Sequence, residues 1–141
     1  YIAHGLSMIC RFNGQVRQHY SVAQHSIRVA ELVPAGDRLQ ALLHDATEAY
    51  LGDVITPLKQ LLPEYRRLES TFWRAICQKF GIPEDLSDAV KAADQIALEE
   101  EATALTAIQG LRERHHPLTF MDIEEVQREF IGLFLKYGGQ E

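Results

Sequence analysis

Apolar residues recur along the chain at spacings of three and four residues, which is the period of amphipathic α-helices. Runs that alternate apolar and polar residues, as strands do, are nearly absent. Proline and glycine divide the pattern into helical segments, which we predict at 3–10, 21–33, 37–49, 56–62, 63–80, 83–108 and 122–137. The prediction is one compact all-α bundle of about six helices, with 56–62 as a short additional helical piece.

Residues with characteristic end preferences set these boundaries. Short polar side chains can accept a hydrogen bond from the first helical turn, and the predicted N-caps are Ser21, Asp37, Thr56 and Asp122. Proline suits the first helical turn because it lacks an N–H group that would go unpaired there, and it opens segments at Pro57, Pro63 and Pro83. Glycine closes helices, and the predicted stops are Gly52, Gly81, Gly110 and Gly138.

The apolar stripes bring several polar residues close to the predicted core. His25 falls on the stripe of the segment 21–33, which contains Val22, Val29 and Val33. His44 and Asp45 lie beside the stripe of the next segment, which is Leu39, Leu42, Leu43, Ala46 and Tyr50. Asp94 is predicted within the buried face of the segment 83–108, which is Leu86, Val90, Ala93, Ala97 and Ala104. A carboxylate buried there is costly unless it is paired or bound to a metal.

Four of these residues form a plausible ligand set, because two imidazoles and two carboxylates suit one divalent metal ion. Each also has an ordinary explanation: His25 as a core histidine bonded to a carbonyl, His44-Asp45 as a helix-surface pair, and Asp94 as the buried partner of an arginine. All three explanations would have to hold together, so we predict one divalent metal ion. The ligand types leave open Co, Mn, Zn, Fe, Ni and Mg.

Composition and charge narrow the functional classes. The chain has 141 residues, of which 46% are hydrophobic and 24% charged, as is typical of a single globular domain spanning 1–141. A net charge of −6 gives no basic footprint for nucleic acid, and no apolar run approaches the ~20 residues that span a bilayer. We expect a cytoplasmic protein with reduced thiols at Cys10 and Cys77. Because the chain starts at Tyr1 rather than Met, upstream sequence is also expected.

The ligand order H…HD…D, taken with the sequence around it, resembles the HD-domain metal-dependent phosphohydrolases. The segments YSVAQHSIRVA, ALLHDATEAYLGDVITPLK and VKAADQIALEEEA are similar to the 5′-deoxynucleotidase branch of that superfamily and its phage and bacterial relatives. The resemblance runs from about Arg11 to Ala102. It implies an HD-domain helical bundle in which His25, His44, Asp45 and Asp94 bind the metal.

The resemblance also implies roles for residues around the metal. Glu48 shares the helix face of His44 and Asp45 and matches a catalytic glutamate, while Asp53 matches an aspartate that assists at the reacting phosphate. Arg11 and Lys59 match phosphate contacts. Phe12 stands where the best-known deoxynucleotidases have tryptophan, which leaves the base or sugar preference open. The ordinary alternatives are a solvated helix glutamate, a turn aspartate, a surface arginine and a core phenylalanine.

The function implied is removal of the 5′-phosphate from (deoxy)nucleoside monophosphates by a metal-dependent phosphohydrolase. A triphosphate would need more cations aimed at its tail, and near the motifs the sequence adds only Arg17 and Lys91 to Arg11 and Lys59. The alternatives are a (deoxy)nucleoside triphosphate triphosphohydrolase, a non-catalytic nucleotide-binding HD domain, and a helical interaction module without a site.

The expected partners are a small-molecule nucleotide and further copies of the chain, without nucleic acid or membrane. The segment 63–80 contains more aromatic and apolar residues than one amphipathic face needs. We therefore predict a homo-oligomer, most simply a dimer, that uses Leu68, Phe72, Trp73 and Ile76.

Overall fold

A computed structural model of the protein describes residues 1–105 and 118–139, and most of them are helical. The helices in chain order are α1 (Ile2–Met8), α2 (Val22–Leu32), α3 (Arg38–Leu43), α4 (Glu48–Leu51), α5 (Thr56–Lys59), α6 (Pro63–Phe80), α7 (Asp88–Leu105) and α8 (Ile123–Lys136). Short 3₁₀ turns lie at Arg11–Gly14 and Ala35–Asp37. No strand occurs in the described ranges, and the predicted compact all-α bundle is confirmed.

Helix α2 lies at the centre of the bundle and packs against α1, α3, α7 and α8. Its apolar stripe is fully buried, as predicted, and small residues on the facing side of α7, Ala93 and Ala97, let the two helices approach closely. His25 is on this stripe and is 0% exposed. A polar residue at the centre of the core therefore lies where α2 and α7 meet.

Several predicted helix ends are confirmed in detail. Ser21 accepts a hydrogen bond from the backbone N–H of Gln24, and the Gln24 side chain accepts one from Ser21, which makes a capping box. Asp122 and Glu125 form the same arrangement at the start of α8. Helix α6 spans Pro63–Phe80 and ends at Gly81, whose φ of 67° lies in the left-handed region that glycine tolerates.

The predicted helix over 37–49 is interrupted. Helix α3 ends at Leu43, residues His44–Thr47 form turns, and helix resumes at Glu48. Asp37 precedes α3 but its side chain makes no capping hydrogen bond. The exposed side chain of Tyr50, which we predicted in the core, packs against Phe72 with a ring-centroid distance of 5.7 Å.

The predicted piece over 56–62 is also shorter. Helix α5 covers Thr56–Lys59, its N-cap is Ile55, and no side-chain cap forms. Thr56 therefore lies inside the helix, so its prediction as the N-cap was wrong. Gly52, the predicted stop of the preceding helix, has a φ of 81° and closes α4.

The helix predicted from Pro83 begins later, at Asp88. The Gln40 side chain donates to the carbonyls of Pro83 and Asp85 at 3.0 and 2.9 Å, and accepts from the N–H of Ser87 at 3.0 Å. These tertiary contacts satisfy the backbone in a non-helical form. The predicted end of this helix near Ile108, with its stop at Gly110, lies outside the described residues.

Cys10 and Cys77 are both free thiols, and Cys77 is buried. Of the helices that are described, none combines the length and the apolar character needed to cross a membrane.

Candidate metal centre and adjoining cleft

Three separate elements bring the four predicted ligands together. His25 comes from α2, His44 and Asp45 from the turn after α3, and Asp94 from α7. The Nε2 atom of His25 lies 3.0 Å from Asp94 Oδ1 and 3.6 Å from Asp45 Oδ2. The Nε2 atom of His44 lies 3.3 Å from Asp45 Oδ2 and 3.8 Å from Asp94 Oδ1. Four potential ligand groups therefore surround one small space.

The other ring nitrogen of each histidine has a defined hydrogen-bond partner. His25 Nδ1 lies 2.8 Å from Glu101 Oε1, and His44 Nδ1 lies 2.7 Å from the carbonyl oxygen of Ala41. Both partners are acceptors, so in the neutral form of either ring Nδ1 carries the proton and Nε2 keeps the lone pair that a metal would use. Both Nε2 atoms lie beside the carboxylates of Asp45 and Asp94.

The two Nε2 atoms are buried, and neither has a hydrogen-bond partner of acceptable geometry among the described residues. The nearby carboxylate oxygens are close but misaligned. Unpaired buried nitrogen atoms are costly, and a bound cation would satisfy both. One ligand atom each from His25, His44 and Asp45 lies within 4.8 Å of the others. The residues present therefore fit a divalent metal ion.

The geometry corrects the predicted burial of Asp94. Its side chain is 48% exposed, so it lies at the edge of the buried face of α7 rather than within it. Burial opposes ionisation of Asp94, but the close approach of the His25 and His44 rings and their charges outweigh it and lower its pKa below the ordinary value of 3.8. In the metal-free protein, burial lowers the pKa of His25, but Asp94 and Glu101 outweigh this and raise it to about 9.

The break after α3 shapes this part of the site. The N–H groups of Ala46 and Glu48 donate to the carbonyls of Leu43 and Asp45, each at 2.9 Å, which is the three-residue spacing of a 3₁₀ turn. Side chains three residues apart eclipse one another in such a turn. Asp45 and Glu48 are thereby brought to the same side, although a regular α-helix would separate them by a larger angle.

A cleft of about 330 Å³ opens beside the ligands. Its polar lining contains four carboxylates and two cations, and the remaining lining is largely apolar. The charged residues are Arg11, Lys59, Asp45, Glu48, Asp53 and Asp94, and the rest include Phe12, Val54, Ile55 and Leu98. The carboxylates outnumber the cations, so an anionic ligand would enter more readily once a divalent cation is bound.

Glu48 lies at the inner wall of this cleft and is only 4% exposed. Its Oε1 is 3.7 Å from Lys59 Nζ, while its buried Oε2 accepts no hydrogen bond within the described ranges. Burial raises the pKa of Glu48 to about 9, and the charges of Asp45 and Asp53 add to the effect. A carboxyl group in this setting can hold a proton at neutral pH.

Arg11 projects into the cleft from an unusual piece of backbone. The next two residues, Phe12 and Asn13, have φ angles of 54° and 51°, which non-glycine residues adopt at a cost. Arg11 Nε donates to Glu101 Oε2 at 3.1 Å, and its Nη1 is 4.0 Å from Asp53 Oδ2. The guanidinium group also lies 5.4 Å from the ring centroid of Phe12. Arg11 and Phe12 therefore both line the cleft, and their role as substrate contacts stays a prediction.

Lys59 and Asp53 also line the cleft. Lys59 Nζ donates to Glu69 Oε1 at 2.7 Å, and it lies 5.9 Å from the ring centroid of Tyr65. Asp53 is largely buried beside Arg11, and burial raises its pKa although the Arg11 charge opposes this. Glu69 anchors the lysine to α6, a contact that no sequence signal indicated.

Two cations considered for the substrate do not line the cleft. Arg17 Nη2 donates to the carbonyl of Ala104 at 2.9 Å, near the end of the described part of α7. Lys91 is exposed and lies 3.7 Å from Asp88 on its own helix. Sequence reasoning also missed Glu101, which is 0% exposed. Its four-residue spacing from Ala97 on the buried face of α7 could have identified it.

Comparison with known proteins finds similar sequences, but neither of the two relatives described below has a stated activity. No family model matches the chain. YfdR of Escherichia coli strain K12 is 49% identical over 100 residues, which cover 71% of this chain and 56% of YfdR. A protein of Rhodobacter capsulatus is 42% identical over 115 residues, which cover 72% of this chain and 59% of the relative. Both relatives carry the description uncharacterized protein, and the chain spans less than two thirds of the length of either.

Proposed function

We propose that the protein is a metal-dependent phosphohydrolase of the HD-domain type that removes the 5′-phosphate from (deoxy)nucleoside monophosphates. The observation that carries the proposal is the pair of buried Nε2 atoms of His25 and His44, which have no hydrogen-bond partner in the described part of the chain and lie beside two carboxylates at a cleft. The same cleft contains Glu48 and two cations. The resemblance of the three motifs to HD-domain deoxynucleotidases supports the same reaction.

The residues of the cleft have separate tasks in this reaction. A divalent ion held by His25, His44, Asp45 and Asp94 would polarise the phosphoryl group and lower the pKa of a bound water. Glu48 lines the same cleft as Asp45 and Asp94, where it would orient the attacking water and, when ionised, accept its proton.

Substrate contacts line the rest of the cleft. Arg11 offers a planar guanidinium group that matches phosphate oxygens, and Lys59 adds a point charge. Asp53, beside Arg11, assists at the reacting phosphate. The apolar side chains of Phe12, Ile55 and Leu98 supply a surface for the sugar or base.

The charge of the cleft favours a monophosphate over a triphosphate. Arg11 and Lys59 are the cations in its described lining, and each already contacts a carboxylate. Arg17 and Lys91 are engaged elsewhere. A triphosphate tail would therefore meet more carboxylates than free positive charge.

The direct test is phosphate release from mono-, di- and triphosphate nucleotides after chelation and reloading with Co, Mn, Zn or Mg. We expect inorganic phosphate from nucleoside 5′-monophosphates only when metal is present. Release of tripolyphosphate from a deoxynucleoside triphosphate at a higher rate would instead establish the triphosphohydrolase. Bound metal without turnover of any nucleotide would favour a non-catalytic binding domain.

Metal analysis of single variants tests the ligand assignment separately. His44→Ala and Asp94→Ala should each lose metal occupancy, because each removes one of the four groups around the ion. Asp88→Ala is the matched control, since Asp88 is an exposed aspartate on the same helix as Asp94. Full occupancy in either ligand variant would contradict the assignment.

A further inference from the structure

We propose that Glu101 is a positioning residue that fixes the metal ligand His25 and the phosphate-binding Arg11 relative to each other. The inference rests on the proposed function, because it takes the roles of His25 and Arg11 from it. Glu101 itself contacts neither metal nor substrate in this proposal. It acts only through the two side chains that it holds.

The two oxygen atoms of Glu101 are divided between these partners. Oε1 lies 2.8 Å from His25 Nδ1, and Oε2 accepts from Arg11 Nε at 3.1 Å. The side chains of Glu101 and His25 are both 0% exposed, and that of Arg11 is 11% exposed. Bulk water therefore does not reach the Glu101 carboxylate, and a carboxylate fully removed from water requires such charge-assisted partners.

Each contact constrains a group that matters at the cleft. A hydrogen bond accepted from Nδ1–H keeps that proton on Nδ1, leaves Nε2 of His25 for the metal and makes it a stronger donor to a metal. Accepting from Nε sets the plane of the Arg11 guanidinium, so that Nη1 is directed towards Asp53 in the cleft lining. The Glu101 carboxylate thus fixes the distance between the metal ligand His25 and the phosphate-binding Arg11.

The backbone around Arg11 requires contacts that hold its conformation, and Glu101 supplies one of them. Arg11 is followed by two residues in the left-handed region, a conformation that persists only when other contacts hold it. The loop that carries Arg11 is attached to α7 at a second place, where the N–H of Arg17 donates to the carbonyl of Leu105 at 3.2 Å. Glu101 provides the interior attachment, and it lies on the same helix as Asp94.

The experiment compares Glu101→Gln and Glu101→Asp with the control Glu100→Gln. The amide of glutamine can accept from only one of the two donors, and aspartate keeps the charge but is too short to reach both. Glu100 is the neighbouring glutamate that pairs with Arg28, outside the cleft. Circular dichroism and thermal melting establish that each variant is folded, and Glu101→Asp carries the test if Glu101→Gln does not fold.

Three measurements follow on the folded variants. Chelator competition with Co or Mn should show metal affinity reduced about 10- to 100-fold in the Glu101 variants and unchanged in Glu100→Gln. Calorimetry with inorganic phosphate at saturating metal should show weaker binding. Arg11→Ala should raise KM by a smaller factor in the Glu101→Gln background than in the wild type, because the two residues act together.

The outcomes separate this proposal from the proposed function. Metal affinity equal to that of Glu100→Gln, or additive effects of Arg11→Ala and Glu101→Gln on KM and phosphate binding, would overturn the role of Glu101. If the wild type binds metal but hydrolyses no nucleotide, the proposed reaction fails, while the metal and phosphate affinities still decide the role of Glu101. A wild type that binds no divalent metal contradicts both.

Discussion

At the residue scale, Glu48 is the least exposed of the acidic side chains described in the cleft. It is buried, and its Oε2 accepts no hydrogen bond from the described residues. We expect Glu48→Gln to keep the metal but lose turnover by about 10²- to 10⁴-fold, the usual scale for proton transfer by a positioned group. Steady-state kinetics and metal analysis of the same preparation check this. Glu64→Gln, on an exposed position of α6, is the control, and a near-normal kcat in Glu48→Gln would remove Glu48 from the mechanism.

The same residue gives the metal-free protein a dependence on pH. Burial raises the pKa of Glu48 from 4.5 to about 9, while Lys59 and Arg11 oppose the shift. Between these values the folded state keeps a proton that the unfolded state has lost, so the free energy of unfolding falls as pH rises. Glu48→Gln should therefore flatten the decline of Tm with pH in the presence of a chelator. A decline as steep as that of the wild type would contradict this.

The candidate ligand residues could be selected from sequence because their spacing and helical period both depend on local patterns. His25 lies where its stripe predicts. The exposure of Asp94 and the burial of Glu101 were not predicted, since both depend on how far α7 is rotated against α2. The partners of Glu101 are His25 and Arg11, which lie on other elements of the fold.

At the scale of the element, two glycines in helices have opposite surroundings. A Cβ atom at Gly5 in α1 would lie 3.0 Å from Ala49 Cβ and 3.1 Å from the Ala49 carbonyl oxygen. One at Gly132 in α8 would meet no atom of the described residues within 4 Å. We expect Gly132→Ala to raise the free energy of unfolding by about 1 kcal/mol through helix propensity. Gly5→Ala should lower it by about 1–3 kcal/mol through overpacking.

Urea denaturation of the two alanine variants measures both changes, and each variant is the control for the other. Equal changes of the same sign in the free energy of unfolding would show that the close contact between Gly5 and Ala49 leaves room for a methyl group.

The helices that sequence predicted best have their end signals within the chain segment itself. Helix α6, between Pro63 and Gly81, is one case, and the capping boxes at Ser21 and Asp122 are others. The late start of α7 was not predictable locally, because Gln40 from α3 holds the residues before it. The turns at His44–Thr47 were missed for a related reason: the apolar period continues through them.

At the scale of the whole molecule, the predicted homo-oligomer stays a prediction. Of the four residues proposed for its surface, Ile76 is buried in the core, while Leu68 is 46% exposed and Phe72 and Trp73 are half-buried. We expect a dimer by light scattering at micromolar concentration. Leu68→Glu on α6 should shift it to monomer, and Leu135→Glu, an equally exposed leucine on α8, should not. A monomeric wild type, or the reverse pattern, would contradict the prediction.

The site joins parts of the chain that are far apart, since Glu101 is separated from His25 by 76 positions and from Arg11 by 90. Contacts across such separations close large loops, so they form late, when α2 and α7 have docked. A metal ion would then have no formed site in the unfolded chain. Stopped-flow experiments should show slower unfolding with metal and an unchanged refolding rate. Faster refolding with metal would mean that the candidate ligands assemble early. If only unfolding is slowed, metal loading would set how long one copy of the protein survives before proteases reach its unfolded chain.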